Sequence, residues 1–345
     1  MTCFSLLLAL AAGIGADAPL HCAASGDASG ARAQIKFATL APEGTNAMKT
    51  MQSIDAEVKK QTSGRLGFKF YAGGRQGDEK DMVRKIRAGQ LHSGGFTGVG
   101  LGEIAPEVRI LDAPWLFKDA KEVDHVYGAL AQDFERAFAA NGYVLLGWTE
   151  VGFAHVFSNA PVRSPQDMKT LKIWVWEGDP IAEAAFKAIG VHPIPLSITD
   201  VNTSLQTGLI NAVYSSPLYA MALQWHEKTK YIHSVPLANA SGAVLVSKKL
   251  FDTLPPQDQQ ILLKVCREKL KTLNELTRQE NEKALSTLKA QGMKMTDASP
   301  DAVKAYEEAG RSARRSLVGR LYPQTTLDRV ERTLAEYRAK KTKKK

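Results

Sequence analysis

The chain has 345 residues, 44% of them hydrophobic and 23% charged, with a formal net charge of +9. This composition excludes a collagen-like or disordered polymer. Three cysteines (Cys3, Cys22 and Cys266) with no CxxC pair exclude a disulfide framework or a cysteine-ligated zinc.

The length predicts about two domains. Phe4 to Ile14 is an apolar run of signal-peptide length, and Ala16-Asp17-Ala18 and Ala31-Arg32-Ala33 both fit a small-x-small cleavage site. Residues 1–33 are therefore expected to be an export segment, leaving a mature chain that starts at Gln34. No Lys or Arg precedes the apolar run. Cys22 follows Pro19-Leu20-His21, a poor lipobox that signals a lipid anchor only weakly. After residue 20 no run of ~18 apolar residues predicts a membrane span.

Strand and helix patterns then alternate. Ile35 to Leu40 predicts a strand, Thr45 to Thr62 an amphipathic helix, Leu66 to Tyr71 a second strand, and Glu79 to Ala88 a second helix. The glycine-rich run Gly94 to Gly102 lacks GxGxxG spacing and predicts a flexible turn. A second series begins after Tyr143 to Trp148: Leu171 to Trp176 as strand, Ile181 to Ile189 as helix, and Asn211 to Tyr214 as strand. Repeated β–α pairs predict a mostly parallel sheet covered by helices. Pro256 to Gln291 has no glycine and no further proline, and predicts one helix roughly 50 Å long that bridges two domains.

Residues 338–345 hold six basic residues and no acid, so most of the excess charge is expected in a solvated basic tail. The body lacks a basic face interleaved with aromatics, which argues against nucleic acid. The seven histidines are scattered without HExxH, and neither GxSxG nor a phosphate loop occurs. Cys266 lies among apolar residues. No residue pattern argues for an enzyme, a cofactor or a metal.

Five segments share a resemblance. Ser164-Pro165-Gln166-Asp167-Met168 through Trp174-Val175, Ala185 to Pro195, and Thr203 to Ala212 resemble conserved-looking stretches of TRAP-transporter solute-binding proteins of the DctP type. Leu111 to Phe117, and Ser247-Lys248-Lys249 with Leu254-Pro255, are similar to two more. The resemblance implies an α/β, two-domain periplasmic-binding-protein-like fold with mixed, mostly parallel sheets, a ligand cleft and a long inter-domain helix. It implies residues 34–157 with about 241–275 as one domain and 158–240 with about 276–330 as the other. It also implies delivery of a small solute to TRAP membrane permease subunits, with an accessory helical-repeat lipoprotein as a further candidate partner.

Two positions depart from the family pattern. Where relatives carry a carboxylate-binding Arg in "KIRV", this chain has Trp174; where they carry Asn in "ENP", it has Ser216. Trp174 and Trp176 share one face of a strand. With Tyr214, Tyr219, Phe96, Trp148 and Phe153, and with Glu150 nearby, they are the expected ligand-binding residues. An apolar or uncharged solute in an aromatic cleft is the expectation. The alternatives are a cation held by ring faces with Glu150 or Glu177, an organic acid held through Arg75 or Arg109, or a permease-independent carrier of a hydrophobic molecule.

Overall fold

A computed structural model describes residues 33–342. The expected export segment up to Arg32, Cys22, and Lys343 to Lys345 lie outside the described residues. The strands are β1 (Ala33–Thr39), β2 (Leu66–Tyr71), β3 (Ser93–Thr97), β4 (Tyr143–Ser158), β5 (Trp174–Trp176), β6 (Ile194–Leu196), β7 (Ala212–Ser215), β8 (Tyr231–His233), β9 (Ala238–Ser247) and β10 (Lys294–Thr296).

Local chemistry sets the early elements. Helix α1 (Asn46–Gln61) starts where the Thr45 hydroxyl accepts the Met48 N–H, and it buries Met48, Met51, Ile54 and Val58 along one face. Helix α2 (Glu79–Arg87) is capped by Asp78, and Asp81 completes a reciprocal capping box. The glycine-rich run is not a flexible turn. It forms β3 and helix α3 (Gly98–Ile104), because glycine lets neighbouring side chains approach closely. A Cβ on Gly100 would sit 2.8 Å from Glu79 Oε2, and one on Gly98 would collide with Asp112.

β2, β1 and β3 are parallel, as βαβ crossovers require. β9 runs antiparallel to both β3 and β4. β4 pairs with β9 from Tyr143↔Ser247 to Ala154↔Ala238, then with β7 from His155↔Ser215 to Ser158↔Ala212. One strand therefore passes from the sheet of the first lobe into that of the second, and β8 and β10 extend the second. β5 and β6 form a separate parallel pair at the same end.

The helix Pro256–Ala290 runs along both lobes. Leu262, Val265, Leu270 and Leu273 pack into the core of the first lobe, whereas Leu288 packs with Trp225 and Ile232 of the second. Its polar face holds β4 where that strand crosses. Asn274 Nδ2 donates to the Trp148 carbonyl at 3.2 Å, and Asn281 Nδ2 donates to that of Val151 at 3.0 Å. Between them Arg278 forks onto Glu150, with Nε to Oε1 at 2.7 Å and Nη2 to Oε2 at 2.8 Å.

Residues 338–342 are part of the fold, contrary to the expected tail. Residues Gln324–Thr342 form a helix whose Leu327, Val330 and Leu334 pack against helix α4 (Ala120–Ala140) of the first lobe. The segment to residue 330 therefore does not sit wholly with the second lobe. Arg338 pairs with Glu122 at 2.6 Å and Lys341 with Asp119 at 2.9 Å. Part of the basic charge is thus neutralised by acids at the start of α4, where the helix dipole favours them.

Candidate functional site

Beneath the crossing strands, a cavity of about 170 Å³ lies between the lobes. By the same measure one water needs roughly 10–15 Å³, so there is room for a small molecule. Phe96, Glu150, Trp174, Tyr214, Ser216 and Tyr219 line it. Three other expected residues do not. Trp148 points into the first-lobe core, edge-on to Tyr127 at 4.9 Å and to Phe134 at 5.9 Å. Phe153 packs against that same core.

The third is Trp176. Its ring lies 5.9 Å from that of Trp174, as side chains two apart on a strand should. Its indole Nε1, however, donates to Asp78 of the first lobe at 3.0 Å. Trp176 is therefore a contact between lobes, while Trp174 forms part of the cavity wall. The Trp174 ring stacks on Tyr214 at 5.0 Å and meets Trp225 edge-on at 5.3 Å. Its own Nε1 is satisfied by the Leu196 carbonyl at 3.0 Å. Ser216 caps the helix Pro217–Ala222, its hydroxyl accepting the Tyr219 N–H at 3.4 Å.

One cavity residue carries no signal in a single sequence: Glu79, fully buried at the start of α2. Its carboxylate accepts the Thr97 N–H at 2.7 Å, the Thr97 hydroxyl at 2.9 Å and the Gly100 N–H at 2.6 Å. Burial pushes its pKa up to about 7, against the pull of those hydrogen bonds. No cation pairs with it among the described residues.

The cavity lining contains no Lys, Arg or His among the described residues. Arg75, one expected source of positive charge, is exposed and lies outside the lining. Arg109, the other, is buried but committed: Nε binds Asp112 at 2.9 Å and Nη2 binds Asp179 at 2.8 Å. Arg278 is likewise shared between Glu150 and Asp124. Each nearby guanidinium thus faces two carboxylates. Glu177 is exposed, and its backbone carbonyl, not its carboxylate, receives Lys80 Nζ at 2.7 Å.

Several of these bonds join the lobes. Asp78–Trp176, Ser197 Oγ to Asp78 at 2.7 Å, Arg109–Asp179 and Lys80–Glu177 all connect residues before β4 to residues after it. The structure is a closed form whose rim is latched by polar contacts.

Two α/β lobes, joined by crossing strands and a shared helix and closed over an internal cavity, define a two-lobed solute-binding protein. Residues 37–318 match the family described as bacterial extracellular solute-binding protein, family 7 (DctP). The chain belongs to this family, the DctP-type solute-binding proteins of TRAP transporters, and is a transport protein rather than an enzyme. It is 29% identical over 244 residues to a solute-binding protein of Verminephrobacter eiseniae, covering 70% of this chain and 72% of that one. It is 27% identical over 240 residues to the 2,3-diketo-L-gulonate-binding periplasmic protein YiaO of Escherichia coli, covering 69% and 73%. The fold also matches a sugar acid binding protein of Advenella mimigardefordensis in complex with galactonate, with a TM-score of 0.83 and 20% identity over 89% of this chain and 99% of that one.

The Escherichia coli relative is named for a polar acid, 2,3-diketo-L-gulonate, which runs against the expectation of a hydrophobic solute. The cavity wall itself is mostly apolar, with Glu79, Glu150 and the hydroxyls of Thr97, Thr149 and Tyr219 among its polar members. No helix among the described residues is long and apolar enough to cross a membrane.

Proposed function

We propose that this protein captures a small polar solute outside the cytoplasm, closes its lobes over it, and delivers it to the membrane permease subunits of a TRAP-type importer. The observation that carries this reading is the cavity bounded by both lobes and by the strands that join them. A solute held there contacts both sides, so it favours the closed state by its differential affinity for the two states. In this reading residues 1–33 direct export, and residues 34–157 with 241–275 move against 158–240 with 276–316. Residues 317–342 ride on the first lobe.

The sugar acids of the relatives suggest a hydroxylated solute, and the hydroxyl-bearing wall supports one. The test is mass spectrometry of the small molecule released when the purified protein is denatured, followed by small-angle scattering of the stripped protein with that molecule returned. Near-stoichiometric release and a smaller radius of gyration on rebinding are expected. A protein that carries no solute, and that no solute from a periplasmic extract compacts, overturns the reading.

A further inference from the structure

We propose that Trp115 is the pivot on which the lobes close: its ring is fixed in the second lobe, its neighbours on either side are fixed in the first, and the left-handed turn at residue 115 is the strained joint between them. This rests on the solute-binding reading and adds to it the place where the chain bends.

Among the described residues, the non-glycines with positive φ are Ser63, Trp115 and Gln224. Ser63 and Gln224 each follow the capping residue of a helix, where a left-handed residue is an ordinary way to end one. Trp115, at φ +49°, ends no α-helix. It lies beyond the 3₁₀ turn Pro106–Asp112, whose capping residue Ala113 is already extended, with ψ 132°. For a side chain this bulky the left-handed region is a true outlier, kept only where the surroundings fix it.

The contacts that fix it come from both lobes. Ala113, Leu116 and Phe117 pack into the first-lobe core, whereas Trp115 packs against that of the second, its ring stacked on Tyr306 at 5.4 Å. The Trp115 N–H donates to the Leu237 carbonyl at 2.9 Å, and the Leu237 N–H donates to that of Ala154 at 2.7 Å. The β4–β9 ladder ends at Ala154↔Ala238, so this row of backbone bonds lies where two strands pass between the lobes. The helix Pro300–Ser316 closes the other side, its buried Arg314 donating from Nη1 to the Pro114 carbonyl at 2.8 Å. Gly310 permits that approach: a Cβ there would lie 2.9 Å from the Pro114 oxygen and 3.0 Å from Trp115 Cβ. Directly after this helix the chain returns to the first lobe, burying Leu317 and Tyr322 in its core.

Closure of two lobes needs contacts that break and contacts that stay. The rim bonds of Asp78 to Trp176 and Ser197 join side chains across the cleft, and opening breaks them. The row Ala154, Leu237 and Trp115 stays, because three passages of the chain between the lobes meet there. A residue with first-lobe neighbours and a second-lobe ring then takes up the rotation in its own backbone angles, as hinge residues do. A positive φ in the closed form stores strain that opening releases. The empty protein is therefore drawn toward the open form until solute contacts offset that strain.

The experiment compares Trp115→Gly with Trp115→Ala in the solute-stripped full chain by small-angle scattering. Both variants lose the ring, and only alanine keeps a Cβ in the left-handed region. The ratio of closed to open protein is expected to be roughly fivefold or more higher for glycine, seen as a smaller radius of gyration. Equal radii, or a larger one for glycine, overturn the strained joint. Hydrogen exchange of the unaltered chain is the readout that needs no variant. The amides of Trp115 and Leu237 should be equally protected before and after the co-purified solute is stripped. The amide of Ile198, bonded across the cleft to Asp78 at 3.4 Å, should exchange faster after stripping. Faster exchange at Trp115 or Leu237 as well overturns the pivot and leaves solute-driven closure intact. No change at any of the three, with one radius of gyration before and after stripping, overturns the closure itself, and the solute-binding reading falls with the pivot.

Discussion

Asp78 and Trp176 lie on opposite lobes, 98 positions apart in the chain, and the indole Nε1 reaches both carboxylate oxygens, at 3.1 and 3.0 Å. The same Asp78 accepts its neighbour Glu79 N–H at 2.6 Å. The residue that caps α2 therefore also latches the cleft, immediately beside the buried carboxylate of Glu79. Closing the lobes and positioning Glu79 are coupled through one side chain.

Trp176→Phe keeps an aromatic ring beside Trp174 and removes the Nε1 donor together with the five-membered part of the indole. A hydrogen bond to a charged acceptor contributes about 1.5–3 kcal/mol, and about 1.4 kcal/mol changes a population ratio tenfold. The solute-free variant is expected to shift toward the open form by roughly tenfold or more. Small-angle scattering should show a larger radius of gyration, and stopped-flow a faster solute release. Identical scattering and release would show that the bond does not hold the cleft closed.

The Arg109 cluster predicts an unequal pair of variants. Arg109→Leu strips two buried aspartates of their shared cation, and breaking such a buried pair costs about 3–5 kcal/mol. Asp179→Asn leaves Arg109 paired with Asp112 and should cost no more than half as much. Urea unfolding at neutral pH measures both. Equal losses would mean that the cluster is not charge-balanced around Arg109 in this way.

The sequence made the lobes legible because helix and strand periodicities survive in segments that are amphipathic. Met48, Met51, Ile54 and Val58 of α1, and Leu262 to Leu273 of the long helix, bury along one face and say so in their spacing. The cavity was legible only as a set of aromatic residues near one departure from a family pattern. Trp174 and Trp176 alternate identically, yet one lines the cavity and the other latches the lobes, a difference set by Asp78 reaching across from another segment. Glu79 was invisible because an acid in a first helical turn reads as an ordinary response to the helix dipole. The C-terminal basic run was misleading for a related reason: its acidic partners, Asp119 and Glu122, lie more than 200 positions away.

Glu79 also gives the ligand-free protein a pH dependence whose sign is fixed. Its pKa stands at about 7 in the fold against an ordinary 4.5. Between those values the folded protein holds a proton that the unfolded chain has released, so stability falls as pH rises through the window. The loss is complete above about pH 7 and is on the order of 3 kcal/mol. Glu79→Gln removes this term whatever it costs in local hydrogen bonds. The stability difference between the unaltered chain and the variant should therefore move in the variant's favour from pH 4.5 to pH 8. Parallel curves from chemical denaturation would rule the buried, unpaired carboxylate out.

The crossing strand carries the last test. Between Glu150 and Gly152 the ladder with β9 slips by one residue, and Gly152 takes φ +107°, a region closed to side chains at ordinary cost. A Cβ there would also lie 2.6 Å from Asn281 Nδ2, the group that donates to the Val151 carbonyl. The other end of that amide accepts the Leu218 N–H at 3.0 Å, tying the bulge to the helix behind Ser216. Gly152→Ala thus strains the backbone, about 1–3 kcal/mol, and displaces a side chain that holds both the crossing strand and a cavity wall. Asn281→Ala alone frees the space but leaves the Val151 carbonyl and the Leu218 N–H without that partner. If backbone strain dominates, the double variant remains as unstable as Gly152→Ala; if the collision dominates, Asn281→Ala masks much of the added cost. Strain should win, because φ at residue 152 is set by the bulge and is untouched by removing Asn281. Recovery of more than half the loss in the double variant, by thermal unfolding, would assign the cost to the contact instead.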